Sequence, residues 1–206
     1  MKILNLYAGI GGNRKLWGNK HKVVAVENDP KIAKIYQDFF PNDKVIIGDA
    51  HQYLLDHYKE FDFIWSSPPC PSHSRIRNEA GVGRGQNKPI YPDMKLYEEI
   101  ILMNHLSKLN SESNGFRGKF VIENVISYYP PLVKPQKIAF HYYWTNFDIP
   151  SFDKIKTRGH WSGNKNLQKI KGFDLSSYKG INKQKILRNC VEPEVGLHIL
   201  KSSIKK

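Results

Sequence analysis

Only two cysteines, Cys70 and Cys190, occur in the 206 residues. Two thiols supply no disulfide framework, which fits a reducing compartment, and by themselves they complete no zinc site. A protein without a metal is expected. Long apolar runs are missing as well: none approaches the ~20 residues that a membrane helix needs. No secretory leader is expected, since Met1-Lys2 reads straight into a strand. Internal repeats and low-complexity tracts are absent, which excludes repeat architectures. Acidic residues are in deficit, with 19 Asp and Glu against 32 Lys and Arg and a net charge of +13.

What is present excludes a disordered chain: 40% of residues are hydrophobic and 12% aromatic, enough for a real core. The length suits one domain with a small appended lobe. The charge is uneven. Residues 1–133 hold 17 Lys and Arg against 14 Asp and Glu, whereas residues 134–206 hold 15 against 5. Scattered lysines often do no more than solubilise a surface. Here they interleave with Tyr, Trp and His, a combination suited to phosphate contact and base stacking, so a nucleic acid is the expected partner.

The order of elements reads as alternating strand and helix, which argues a parallel, doubly wound α/β sheet. Residues 3–7 form an apolar strand, followed at once by Ala8-Gly9-Ile10-Gly11-Gly12 and an expected helix at 13–19 with Leu16 and Trp17 facing inward. Glycines let a backbone approach a ligand closely, and a helix amino end offers free N–H groups, although a tight turn alone would read the same way. Lys22-Val23-Val24-Ala25-Val26 is a second strand closing on Glu27-Asn28-Asp29-Pro30. An acidic residue there either holds a ribose diol or starts the next helix. After a helix at 31–40 and a third strand at 45–47, Asp49-Ala50 stands before a helix at 51–58. Asp49 either caps that helix or reaches a ligand.

Phe61-Asp62-Phe63-Ile64-Trp65 is a buried-type strand, and Ser66-Ser67-Pro68-Pro69-Cys70-Pro71-Ser72-His73-Ser74 follows it. The prolines end the ladder stiffly and present Cys70 at the strand's carboxyl end, where ligands bind in open α/β sheets. A thiol held there is a candidate nucleophile. Residues 75–92 read as a long loop with Arg75, Arg77 and Arg84, and residues 93–110 as the longest helix, with Met94, Tyr97, Ile100, Ile101, Met103 and Leu106 in the core. The strand at 119–125 ends in Glu123-Asn124-Val125, and an ionisable group there is costly unless paired or working. An aromatic strand spans 140–147, residues 150–184 are polar, basic and turn-rich, and Pro193 opens a short amphipathic helix.

Taken together, these residues resemble the cytosine-C5 DNA methyltransferases. The resemblance rests on Tyr7-Ala8-Gly9-Ile10-Gly11-Gly12, Glu27, Asp49, Pro68-Pro69-Cys70 with Ser74, Glu123-Asn124-Val125, and Asn189 in Arg188-Asn189-Cys190-Val191, in the family's order and over nearly the whole chain. It implies a Rossmann-like class I fold dependent on S-adenosylmethionine. Residues 1–149 would form the catalytic core, 150–184 a shortened basic recognition region, and 185–206 a segment returning to the core. The compact look resembles versions from phages and mobile elements, which would put the protein in the cytoplasm of a bacterial cell or an infected host.

The resemblance further implies that Cys70 adds to C6 of a cytosine flipped out of duplex DNA while Glu123 bonds the base edge, with Pro69 and Asn124 beside them. The cofactor would lie against Tyr7, Ala8, Gly9, Ile10, Gly11, Gly12, Glu27, Asn28, Asp49, Ala50, Pro69 and Asn189. Positive groups or helix amino ends near Cys70 are expected to lower its pKa. Ser74, Arg75, Arg77, Arg84, His141, Lys154, Lys156 and Arg158 would contact DNA, and the protein would act as a monomer. The family's Gln-x-Arg-x-Arg strand is represented by Gln136-Lys137-Ile138-Ala139-Phe140-His141, which lacks both arginines and leaves Lys137 or His141 to substitute. Two alternatives remain: the same chemistry on tRNA, or a silent relative that only binds DNA.

Overall fold

The structure, a computed structural model, describes residues 1–109, 114–152 and 163–204. A seven-stranded sheet is built from β1 (Lys2–Leu6), β2 (Lys22–Glu27), β3 (Lys44–Ile47), β4 (Phe63–Ser66), β5 (Lys119–Val125), β6 (Gln136–Ile138) and β7 (His141–Thr145). Their order is β3-β2-β1-β4-β5-β7-β6. The first five run parallel, and β7 pairs antiparallel with both β5 and β6. The parallel strands are near-continuous Val, Ile, Leu and Phe because both faces are covered.

The period of two sorts the side chains. Leu4, Leu6, Val24, Val26, Ile64, Phe120 and Ile122 meet α2 (Ala50–His57) and α3 (Lys95–Leu106) on one face. On the other, Ile3, Val23, Phe63, Trp65 and Val121 meet Val195, Ile199 and Leu200 of α6 (Pro193–Ile204). On that side too, Ala25 packs against Ile35 and Tyr36 of α1 (Pro30–Phe39). Leu167 of α4 (Asn164–Lys171), Phe173, Leu175 and Leu187 of α5 (Lys183–Asn189) extend this cluster. Asp29 caps α1 by accepting from the amides of Lys31 and Ile32, and Pro30 fills the first position, where no amide bond is needed.

Four sequence expectations are corrected. Residues 13–19 make turns rather than a helix, because Gly11 and Gly18 hold φ of +83° and +74° at either end and leave too little chain to nucleate one. Trp17 is buried, its indole donating to the Gly196 carbonyl at 3.1 Å, but Leu16 is exposed. In α3 the buried stripe is Leu96, Tyr97, Glu99, Ile100, Met103 and Leu106, so Met94 and Ile101 turn outward. The 75–92 stretch is not wholly irregular, since Ile76–Val82 winds into a π-helical turn. Within 150–184, α4 buries Leu167 and stops at left-handed Gly172, and α5 begins at Lys183.

Among the described residues two non-glycines, Tyr7 and Ala139, have positive φ, at 52° and 51°. Ala139 sits in the two-residue β6–β7 turn. A Cβ there costs roughly 1–2 kcal/mol, against about 0.5–1 for the extra freedom of glycine in the unfolded chain. Ala139→Gly is therefore expected to raise the melting temperature by a few degrees in a thermal scan.

Candidate active site

The parallel strands all release their chains at one edge, and Gly9, Glu27, Asp49, Cys70 and Glu123 lie at or next to those strand ends. After β1 the turn is sealed on one side and open on the other. A Cβ on Gly11 would lie 2.8 Å from the ring of Tyr36 and 2.4 Å from that of Phe40, and one on Gly12 would lie 2.3 Å from Cys190 Sγ and 2.4 Å from the Val191 carbonyl. Around Gly9, at φ +54°, a Cβ would meet nothing within 4 Å. The turn is thus pressed against α1 and the residues after α5 while one backbone stretch stays clear for a ligand. Gly12→Ala is accordingly expected to weaken cofactor binding and lower stability together, as calorimetry and a thermal scan would register.

Glu27 holds this turn, its carboxylate accepting from the amides of Gly9 at 2.9 Å and Asp29 at 3.0 Å. Asp49 does cap α2, accepting from His51 N at 2.8 Å, while its other oxygen lies 3.9 Å from Lys95 Nζ. Ile10 and Ala50 are buried in the core, so only their backbones can face a ligand; Ala8, also buried, donates its amide to the Val26 carbonyl at 3.0 Å. Asn28 and Asn189 are exposed, Asn189 next to the Cys190 that backs Gly12. These features fit a cofactor with a ribose and a flexible chain laid across the glycine turn.

Cys70 stands at the exit of β4, half-buried beside an exposed Pro69. Its carbonyl accepts from the amides of His73 and Ser74, both at 3.0 Å, which closes the loop into a tight turn. Asn124 donates its side-chain amide to the Pro68 carbonyl at 3.0 Å and so ties β5 to this loop. Glu123 is buried opposite Tyr143 of β7, and His141 Nε2 lies 3.4 Å from its Oε1. Of the two substitutes for the missing arginines, His141 is thus the one placed against the carboxylate.

The expected lowering of the Cys70 pKa is not found. Burial, and then the charge of Glu123, push the thiol up to about 11. The residues around it favour the neutral form, so at neutral pH the resting side chain is a thiol. Alkylation of Cys70 by iodoacetamide should accelerate with pH up to about 11. Glu123→Gln should shift that profile down only in part, because burial is the larger cause. Peptide mass spectrometry separates this signal from Cys190, which is buried and whose thiol is likewise pushed up by burial, to about 12.

The candidate DNA contacts are less uniform. Ser74 bridges to Ser127 and its hydroxyl accepts from Arg77 N at 3.4 Å. Arg75 pairs with Glu79 at 3.1 Å on the surface, Arg77 donates to the Lys88 carbonyl at 3.0 Å, and Arg84 is exposed. The first two are thus engaged within their own loop rather than aimed at Cys70. Lys154, Lys156 and Arg158 lie outside the described residues. Sequence reasoning missed Glu99, His51 and Ser66, which meet at the same edge, and the buried Arg14–Asp43 pair. The one available signal for Glu99 was a carboxylate within the apolar stripe of α3.

The strand order, with one antiparallel strand between two others at the end of a parallel sheet, and the glycine turn after β1 define a Rossmann-like S-adenosylmethionine-dependent methyltransferase fold. The fold matches the methyltransferase EhMeth of Entamoeba histolytica over 100% of this chain and 99% of that one, with TM-score 0.62 and 12% identity. A hypothetical protein of Thermus thermophilus aligns over 70% and 73% with TM-score 0.41 and 13% identity. Spodoptera frugiperda DNMT2 aligns over 60% and 35%, with TM-score 0.36 and 24% identity. No curated protein matches the chain. The family model of the C-5 cytosine-specific DNA methylases matches residues 1–101, from β1 into α3. The protein is thus a methyltransferase, and its methyl donor is S-adenosylmethionine. Among the described residues no helix is long and apolar enough to cross a membrane, and no group of three or more His, Cys, Asp or Glu could hold a metal ion.

Proposed function

We propose that this protein methylates C5 of cytosine in DNA through a covalent bond between Cys70 and C6 of a flipped-out base. The observation that carries the reading is the meeting of Cys70 and Glu123 at the edge that also carries the glycine turn, with the Glu123 charge acting on the thiol. S-adenosylmethionine, held along residues 7–12 with Glu27, Asp49 and Asn189, supplies an electrophilic methyl group. Cytosine C5 is a weak nucleophile, and addition of sulfur at C6 turns it into an enamine carbon. Cys70 must lose its proton for this, and a thiol pushed up to about 11 attacks only once substrate and cofactor change its surroundings. Glu123 accepts from the exocyclic amine and delivers a proton to N3, which neutralises the negative charge that reaches the ring as the S–C6 bond forms. C5 would then take the methyl group as S-adenosylhomocysteine leaves with the electron pair of the broken S–CH3 bond, and loss of the C5 proton to solvent would re-form the C5–C6 double bond and break the S–C6 bond, returning the Cys70 thiolate.

His141, beside Glu123, takes the place of the absent arginines in orienting that carboxylate. Extruding the base costs a few kcal/mol, offset by phosphate contacts from the basic residues beyond 134 and from Arg84. Bisulfite sequencing of DNA and tRNA from cells expressing the protein tests the reading. Conversion-resistant cytosines at one short DNA motif are expected. Resistance confined to tRNA would transfer the same chemistry to RNA, and resistance in neither, from folded protein that binds S-adenosylmethionine, would leave a silent DNA-binding relative.

A further inference from the structure

Glu99 lies on the buried face of α3, only 1% exposed, and its partners come from the ligand edge of the sheet. Tyr7 donates its hydroxyl to Oε1 at 2.7 Å, Ser66 donates to Oε2 at 2.6 Å, and His51 Nδ1 lies 3.0 Å from Oε1. His51 Nε2 faces Glu98 at 3.2 Å on its other side. One carboxylate therefore joins the first residue of the glycine turn, the last residue of β4 and the first turn of α2.

The site is built rather than incidental. Tyr7 has a φ of +52°, unfavourable for any residue with a Cβ, and its bond to Glu99 is the side-chain contact that holds the hydroxyl end of this strained residue. Ser66 is buried immediately before the stiff segment that presents Cys70, so its hydroxyl bond fixes the root of that segment. A buried carboxylate is kept only where donors satisfy it, and here both oxygens are used.

We propose that Glu99 is a positioning residue that locks the cofactor turn, through Tyr7, and the Cys70 loop, through Ser66, into one frame. This rests on the reading of residues 7–12 as the cofactor turn and of Cys70 as the nucleophile. Glutamine at 99 keeps the shape but replaces one accepting oxygen with a donor, so either Tyr7 or Ser66 loses its acceptor. A carboxylate that merely fills the core would be indifferent to which ligand edge it supports.

The test uses the full chain and two readouts that need no turnover: calorimetric titration with S-adenosylhomocysteine, and the rate of Cys70 alkylation by iodoacetamide. Glu99→Gln and Tyr7→Phe should each weaken S-adenosylhomocysteine by about tenfold, and the double variant by no more than either alone, because both act through one bond. Ser66→Ala should leave that affinity unchanged while altering the Cys70 rate in the same direction as Glu99→Gln. Wild-type affinity in Glu99→Gln, or losses that multiply to about a hundredfold in the double variant, would overturn the proposal. If Glu99→Gln does not fold, Tyr7→Phe decides alone, since it removes one hydroxyl only, and unchanged affinity overturns the idea. If the wild-type protein fails to bind S-adenosylhomocysteine, the assignment of the cofactor turn falls separately, and an unchanged Cys70 rate in Glu99→Gln would overturn the positioning role as well.

Discussion

Replacing Cys70 with alanine is expected to lower methyl transfer by more than about a thousandfold while S-adenosylhomocysteine still binds, since on the proposed covalent route the change removes a reaction step rather than a contact. The two outcomes separate because the thiol and the glycine turn leave the sheet from different strands. Cys70 follows β4, while residues 7–12 follow β1 and are held by Glu27 and by the packing of Gly12 on Cys190. Alanine at 70 removes only a sulfur and keeps the Cys70 carbonyl that accepts from His73 and Ser74, so the loop retains its shape. A duplex carrying 5-fluorocytosine sharpens the measurement. The fluorine at C5 cannot leave as a proton would, so a C6 adduct persists through denaturing electrophoresis with the wild-type protein and is absent with the alanine variant. Full methylation by Cys70→Ala would remove the covalent pathway altogether.

What the sequence makes legible is the edge of the sheet. Cys70, Glu27, Asp49 and Glu123 each stand at the end of an apolar run, and in a parallel sheet such ends share one side, so their gathering follows from topology alone. Glu99 escapes notice because its neighbours Tyr7, Ser66 and His51 are distant in the chain and a helical period marks only that its position is inward. The same holds for the Cys70 thiol: its environment is set by burial and by Glu123, neither of which local sequence reports. The missing helix at 13–19 is a failure of another kind. Trp17 does face inward, but it packs against β4 and α6 from a turn, so an inward aromatic proves burial and not helix. Helices α4 and α5 were hidden by polarity, since each buries a single leucine, Leu167 or Leu187, wholly within an otherwise lysine-rich stretch. The alanine at 139 is read neither as a turn nor as strain by composition, because its left-handed φ comes from closing β6 onto β7.

Asp43→Ala is expected to produce the largest loss of stability, about 3–5 kcal/mol, the range for removing one member of a buried ion pair. Arg14 and Asp43 are 3% and 2% exposed, with Nε to Oδ2 at 2.8 Å and Nη2 to Oδ1 at 3.0 Å, a two-pronged geometry that fixes the guanidinium plane. Tyr36 of α1 donates a third bond to Oδ2 at 2.8 Å, and the guanidinium also lies over the Phe40 ring at 5.0 Å. Alanine would leave the Arg14 charge buried with no carboxylate and the Tyr36 hydroxyl with no acceptor, and both desolvation costs fall on the folded state alone. For a chain of this size the loss corresponds to a drop in melting temperature of roughly 6–20 °C. Because Arg14 follows the glycine turn directly and Tyr36 walls Gly11, the same change should loosen the ligand edge before it unfolds the sheet. Hydrogen exchange is the discriminating measurement. Amides of residues 8–15 and of α1 should lose protection first, with β4 and β5 retaining theirs, whereas uniform loss across the sheet would mean that the pair stabilises the fold without any particular hold on the turn.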